Sequence, residues 1–193
     1  MSEPRVTYTP ESLLRVAVEV FNERGYDGAS MGRLAEAAGI TKSSIYHHVR
    51  GKEDMLRQAL ERATGVLFAL LDEPEATTGP AIDRLRYVVR RATEVLIAEL
   101  PYVTLLLRAR GNTETERWAL DRRRELDHRV AQLVAQAVDE GDLRDDIEPR
   151  LAARLLFGLV NSVSEWYRPD AGAAPQQVGE AVAAIAFDGL TRP

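Results

Sequence analysis

The stretch Ser30 to Lys52, SMGRLAEAAGITKSSIYHHVRGK, constrains the fold more than any other part of the chain. Ser30 is a good helix N-cap, and Met31, Leu34, Ala35 and Ala38 recur at helical spacing on one apolar face. Gly39 follows, the residue type that takes up the positive φ of a sharp turn. Thr41 is a second N-cap, and the helix it opens keeps Ile45 and Val49 on its inner side. A small residue where two helices touch, glycine at the turn and a β-branched anchor beyond it make a helix-turn-helix over residues 30–49.

The outer side of the second helix carries Lys42, Ser43, Tyr46 and His47, which share one face. From Thr41 to Lys52 the cations are Lys42, Arg50 and Lys52, with no acid, and the chain's two lysines both fall here. Polar donors, an aromatic hydroxyl and flanking cations on an exposed helix are what a reader of the DNA major groove needs. The same pattern also fits a solvated helical hairpin, since charged outer faces are common.

Bulk properties narrow the classes. With 193 residues the chain fits one domain, or a small domain joined to a larger one. The absence of cysteine excludes disulfides, a thiol nucleophile and thiolate metal sites. Three histidines, His47, His48 and His128, are too few and too badly spaced for a histidine-rich metal site. No apolar run approaches the ~20 residues of a membrane span, and MSEPRVTYTP is no signal peptide, so the expected place is a reducing cytoplasm with no membrane partner. Residues 1–65 hold nine basic and nine acidic side chains, and the remainder sixteen against twenty-one. The whole net charge of −5 therefore sits in the C-terminal part, which leaves any nucleic-acid affinity to a local cationic patch.

Taken in order, the chain reads as all-α, with about nine helices. Residues 1–8 are a loose arm. Thr9 caps a first helix that has Pro10 in its first turn and ends at Gly25. With the helix-turn-helix this makes a three-helix head over residues 1–52, and residues 53–193 form the body. A helix over about 53–71 links the two. Residues 72–80 read as a loop, followed by a helix to about Leu100 and a short apolar one after Pro101. Thr113 with Glu116 is a capping box opening a long helix to about Glu140. The helix from Glu148 to Tyr167 is apolar nearly all round, and the last, Pro175 to about Leu190, is rich in small residues. Both cannot face water in a monomer, so a homodimer is expected.

Order and motif together resemble the TetR family of bacterial transcriptional regulators. The resemblance rests on AVEVFNERGYDGASMGRLAEAAGITKSSIYHHVRGKEDML, where Phe21, Gly25, Tyr26, Ser30, Ala35, Ala38, Gly39, Ile45, Tyr46, His48, Lys52 and Glu53 fall in the family's register. It implies a dimeric repressor whose heads bind a palindromic operator in double-stranded DNA and whose body takes up a small effector. By that resemblance Ser30, Thr41, Lys42, Ser43, Ser44, Tyr46, His47, His48 and Lys52 are the DNA-binding residues. Lys42, Ser43 and His47 are placed at base edges; Ser44, Tyr46, His48 and Lys52 at phosphates. The family often has glycine and threonine where this chain has Ser43 and Ser44, so the operator sequence does not carry over.

For the effector, Arg90, Arg91, Arg108 and Arg110 are cations among apolar residues, and Asn112, Trp118, Phe157, Asn161 and Trp166 add polar and aromatic groups. Together they suit an elongated apolar pocket with a cationic mouth, for an anion with a hydrophobic tail. Core packing for the aromatics and solvated faces for the arginines fit the pattern equally well. The segments Arg110–Thr113 and Glu165–Pro169 resemble a TetR subgroup that answers to acyl-CoA thioesters, which makes an acyl-CoA the leading effector and a drug-like molecule controlling an efflux pump the alternative. A helical enzyme or an interaction module are rivals of another class. No phosphate-binding glycine loop, GxSxG or HExxH occurs, and neither a cofactor nor a metal nor enzymatic activity is expected.

Overall fold

The computed structural model describes residues 9–170 and 172–189. The arm expected over residues 1–8 lies outside them, as does Leu190. Every regular element among the described residues is a helix, in the order α1 (Pro10–Gly28), α2 (Met31–Ala37), α3 (Lys42–Ile45), α4 (Lys52–Ala69), a 3-10 turn (Leu70–Asp72), α5 (Pro74–Thr77), α6 (Ala81–Ala98), α7 (Leu100–Arg108), α8 (Glu114–Asp139), α9 (Pro149–Trp166) and α10 (Pro175–Asp188). That is ten helices where the sequence pattern gives about nine. The extra one is α5, inside the segment expected as a loop; Pro74 presets the φ of its first turn.

Local chemistry sets most helix ends. Thr9 and Ser12 cap α1 reciprocally: the Ser12 amide donates to Thr9 Oγ1 at 3.1 Å and the Thr9 amide to Ser12 Oγ at 2.9 Å. At Gly25, φ is 73°, which interrupts α1 and leaves residues 26–28 as a separate turn. Thr113 accepts from the Glu116 amide at 3.1 Å, as a capping box requires. The Glu116 carboxylate, however, accepts from the Asn112 amide at 2.7 Å rather than from Thr113, so the box is opened outward by one residue.

The linking helix α4 is the centre of the molecule. Met55, Leu56, Ala59, Leu60 and Ala63 are all buried, and α4 packs on α1, α7 and α8. Further along, α6 is enclosed by α8, α9 and α10. Gly179 lets α10 lie directly on α6: a Cβ there would stand 2.8 Å from the Arg90 carbonyl oxygen. On α9 only Ala153, Val160 and Val163 are buried, whereas Leu151 is 50% exposed and Leu155 61%. Ile185 of α10 is exposed as well. The nearly all-apolar helix thus leaves one side unburied within the single chain.

Candidate nucleic-acid interface and effector cavities

The helix-turn-helix is built by local geometry. Ser30 Oγ accepts from the Arg33 amide at 3.3 Å and Thr41 Oγ1 from the Ser44 amide at 3.2 Å, each satisfying an orphan donor of its helix. Gly39 sits at φ 66°, where a side chain would be strained. Ala35, Ala38, Ile45 and Val49 are buried, with α2 packed on both α1 and α3. The second helix is shorter than the sequence pattern suggests. After Ile45 the His47 amide turns to the Ser44 carbonyl and the His48 amide to that of Ile45, tightening the chain into 3-10-like turns. Serine and β-branched residues with weak helix preference account for this.

The expected outer face keeps its composition on this shorter scaffold. Thr41, Lys42, Ser43, Tyr46, His47 and His48 are exposed, and Tyr46 is 51% exposed despite its ring. Ser30 is exposed beside them, but its hydroxyl is committed to its cap, and Ser44 is half-buried. Lys52 has a different geometry from the others. Its Nζ donates to the Tyr26 carbonyl at 2.8 Å and the Ala29 carbonyl at 3.1 Å, and lies 3.9 Å from the centre of the Tyr26 ring. Two of its three donors therefore tie the turn after α1 to the start of α4.

A second tie adjoins the first. The Tyr26 hydroxyl donates to the Glu53 carboxylate. Desolvation pushes the Glu53 carboxyl up, but hydrogen bonds from the Thr115 hydroxyl, Tyr26 and the Thr115 amide outweigh it and hold the group below the ordinary carboxylate range. Burial, then the Glu53 hydrogen bond, pushes the Tyr26 hydroxyl up. Head, linking helix and the first turn of α8 meet at this one carboxylate.

The nine expected effector residues are not brought into one pocket. Arg108, Arg110 and Asn112 line an open cleft of about 770 Å³ between the end of α1, α4 and the end of α7. Phe157 and Asn161 line a small inner cavity of about 30 Å³ between α4, α6, α7, α8 and α9. Arg90 and Arg91 line neither. Arg90 pairs with Glu94 at 3.0 Å within α6, and Arg91 with Glu94 at 3.2 Å and Glu73 at 3.3 Å, so Arg91 alone holds α6 to the start of α5. Trp118 lies under the Arg57 guanidinium at 4.4 Å, on the α4–α8 seam. Trp166 is 56% exposed at the end of α9.

Sequence patterning missed several residues of these cavities. Asn22 and Arg24 line the cleft, with Phe21, Leu56 and Leu60 as its apolar floor. Asn22 clamps α7 at both ends: its Nδ2 donates to the Pro101 carbonyl at 2.8 Å, and its own carbonyl accepts from Arg108 Nη1 at 2.8 Å. Its Oδ1 is buried and accepts no hydrogen bond from the described residues. Arg123 and Asp127 line the inner cavity. Desolvation pushes the Asp127 carboxyl up, partly offset by Arg123 and Arg154. No spacing signal marks any of these, because each acts through partners distant in sequence.

A capped helix-turn-helix with an exposed acid-free face, joined by a buried helix to a larger helical body, defines a DNA-binding regulator of the one-component kind. Comparison with known proteins gives the family. The profile of the bacterial regulatory proteins of the tetR family matches residues 13–59, and that of the tetracyclin repressor-like C-terminal domain matches residues 78–190. The chain belongs to the TetR family of transcriptional regulators. It is similar to SCO3833 of Streptomyces coelicolor A3, a member of the same family, with 60% identity and a TM-score of 0.90 over 100% of this chain and 97% of that one. The transcriptional repressor KstR2 of Mycobacterium tuberculosis is 27% identical over 93% of this chain and 92% of its own length. AibR, in a crystal structure with isovaleryl coenzyme A and operator DNA, shares the fold at 22% identity with a TM-score of 0.77, over 92% of this chain and 97% of that one.

Proposed function

We propose that this protein is a dimeric repressor that binds a palindromic operator through the α3 faces of two heads and leaves it when an amphiphilic anion, of the acyl-CoA class, binds in the body. The observation that carries the DNA part is the exposed face of Lys42, Ser43, Tyr46 and His47, free of acid and fixed by the buried anchors Ile45 and Val49. Division into a DNA-binding head over residues 1–52 and an effector and dimerisation body over 53–193 follows from it. Kinship with a repressor such as KstR2 supports the sign of the output. The exposed side of α9 with Leu151 and Leu155, next to Ile185 of α10, supports a two-fold contact in which each subunit offers the same patch.

The effector class rests on this chain's own cavities. AibR shows that the fold accommodates a coenzyme A thioester together with operator DNA, and at 22% identity that likeness speaks for the fold alone. Here a cleft lined by Arg24, Arg108 and Arg110 against two acids, Asp27 and Glu116, keeps a net positive charge, which favours an anion over the neutral or cationic drugs that would be sensed in efflux control. Effector binding must differ in affinity between the two head arrangements to shift them. The Tyr26–Glu53–Thr115 junction is where such a difference passes from body to head.

A gel shift tests this reading. The full chain should retard the DNA flanking its own gene, and acyl-CoA thioesters should release it while the corresponding free acids do not. Equal release by free acids would contradict the CoA assignment, and absence of a specific shift would contradict the regulator.

A further inference from the structure

Beyond the linking helix, the head is hydrogen-bonded to the body through a single residue among those described. The bonds of Glu11, Tyr26, Ala29 and Arg50 all end on α4, at Arg62, Glu53, Lys52 and Asp54. Asn22 alone reaches further. Its Nδ2 donates to the Pro101 carbonyl in the first turn of α7, and its own carbonyl accepts from Arg108 Nη1 in the last, each at 2.8 Å. One residue of α1 thus holds α7 at both ends. Its amide is kept for this bond rather than for packing: Oδ1 is buried and unbonded among the described residues, a cost that an aliphatic side chain would not carry. Packing follows the same route. The reading helix α3 lies on α2, α2 on α1, and α1 on both α7 and α4. In turn α7 is a wall of both cavities, with Leu105 lining the open cleft and Leu106 the inner one. It is nine residues long and stands between two breaks, Glu99 with Pro101 before it and Gly111, φ 85°, beyond it. A short packed helix freed at both ends shifts as a unit.

We infer that Asn22 is the positioning residue that carries a shift of α7 to the DNA-reading face, by way of α1 and α2 and in parallel with the linking helix. This rests on the reading of the chain as a regulator whose body responds to an effector, and not on which effector that is. A shift of α7 along its axis moves the Pro101 carbonyl and Arg108 in the same direction, so both bonds of Asn22 draw α1 after it. Gly25, at φ 73°, separates Asn22, which follows α7, from Tyr26, which Lys52 and Glu53 hold to α4. The pull of α7 and the hold of α4 therefore act on opposite sides of the one break in α1. A change of α1 reaches α3 through α2, the element that packs on both.

A double-mutant cycle on the full chain tests this without any ligand. Leu106→Ala disturbs α7 from its inner side, and its effect on the affinity for the DNA flanking the gene is measured with Asn22 present and in Asn22→Leu. That effect should shrink by a factor of about two to ten in the Asn22→Leu background, the range set by one hydrogen bond. Arg84→Met, which removes a bond of the same kind to the Ala76 carbonyl within the body, should leave the effect of Leu106→Ala as it is. Thermal melts confirm that each variant folds, and Leu106→Val repeats the cycle with a smaller disturbance if Leu106→Ala does not. Additive effects of the α7 variant and Asn22→Leu overturn the inference, as does an equal interaction with Arg84→Met. A second arm compares DNA affinity without and with saturating decanoyl-CoA, a ratio that does not depend on how tightly the thioester binds. The ratio should fall by a similar factor in Asn22→Leu. An unchanged ratio, with decanoyl-CoA still releasing DNA, overturns the inference and leaves the regulator reading standing. If decanoyl-CoA releases no DNA but the cycle is non-additive, the effector class fails and the inference stands. If the parent binds no DNA specifically, the regulator reading fails and the inference falls with it.

Discussion

The Tyr26 hydroxyl donates to the Glu53 carboxylate, joining the turn that follows α1 to the first turn of the linking helix. The Lys52 ammonium lies over the same ring, 3.9 Å from its centre, and binds the Tyr26 carbonyl. Tyr26 is thus held by both charges that open α4. Thr115 at the start of α8 faces the same carboxylate and favours its ionised form. A displacement of α4 relative to the head must stretch one of the bonds at Tyr26.

That junction has a pH signature. The folded-state pKa of Glu53 lies below its ordinary value of 4.5. Its contribution to stability is therefore complete above that value and is lost as pH falls through the lower folded one. Acid unfolding followed by circular dichroism should be shallower below about pH 4.5 in Glu53→Gln than in the parent. Identical acid limbs would remove the ionised bridge from the account.

The two lysines should behave differently on DNA. Lys42 is exposed on the α3 face, whereas Lys52 spends two donors on the carbonyls of Tyr26 and Ala29. Lys42→Ala should lower the salt slope of operator binding by about 0.9 per head with no change in melting temperature, provided its contact is to phosphate. Lys52→Ala should instead lower the melting temperature of the head. A Lys52→Ala variant of unchanged stability but reduced salt slope would return that side chain to the phosphate backbone.

The helix-turn-helix stands on Ile45, which is 1% exposed. Ile45→Ala should cost about 2–5 kcal/mol, from lost burial and the cavity left behind. Thr41→Ala, which removes the cap on the Ser44 amide, should cost about 0.5–2 kcal/mol. Denaturant unfolding measures both. A cost for Ile45→Ala no larger than that for Thr41→Ala would mean that the turn is held by something other than its core.

Leu155, at 61% exposure, is by fraction the most exposed large apolar side chain on α9. Leu155→Glu should raise the dimer dissociation constant by at least about 100-fold, because two-fold symmetry applies the lost burial twice. Sedimentation at several concentrations reads this directly. An unchanged dimer, or a parent that is monomeric at micromolar concentration, would move the interface or remove it.

Which parts of this were legible in the sequence follows from the range of the interactions. Ser30, Gly39, Thr41 and Ile45 declare themselves because a cap, a positive φ and a helical anchor are fixed by neighbours within four residues. The same holds for Thr113, and the departure at Glu116 is small: its carboxylate took the next amide along. Arg91 misled because a cation on a helix face does not reveal its partner, and Glu73 lies eighteen positions back, whereas Arg90 is taken up by Glu94 four positions on. Asn22 gave no sign at all: the Pro101 carbonyl and Arg108 reach it only once α7 is laid on α1.

Hydroxyl-radical footprinting of the DNA flanking the gene tests most directly whether two α3 faces read one operator. Two protected half-sites related by a dyad and roughly 34–36 Å apart are predicted. Protection should vanish with Lys42→Ala combined with His47→Ala, and with saturating acyl-CoA. Uniform protection without half-sites, or half-sites that persist in the double variant, would contradict the assignment of α3 as the reading element.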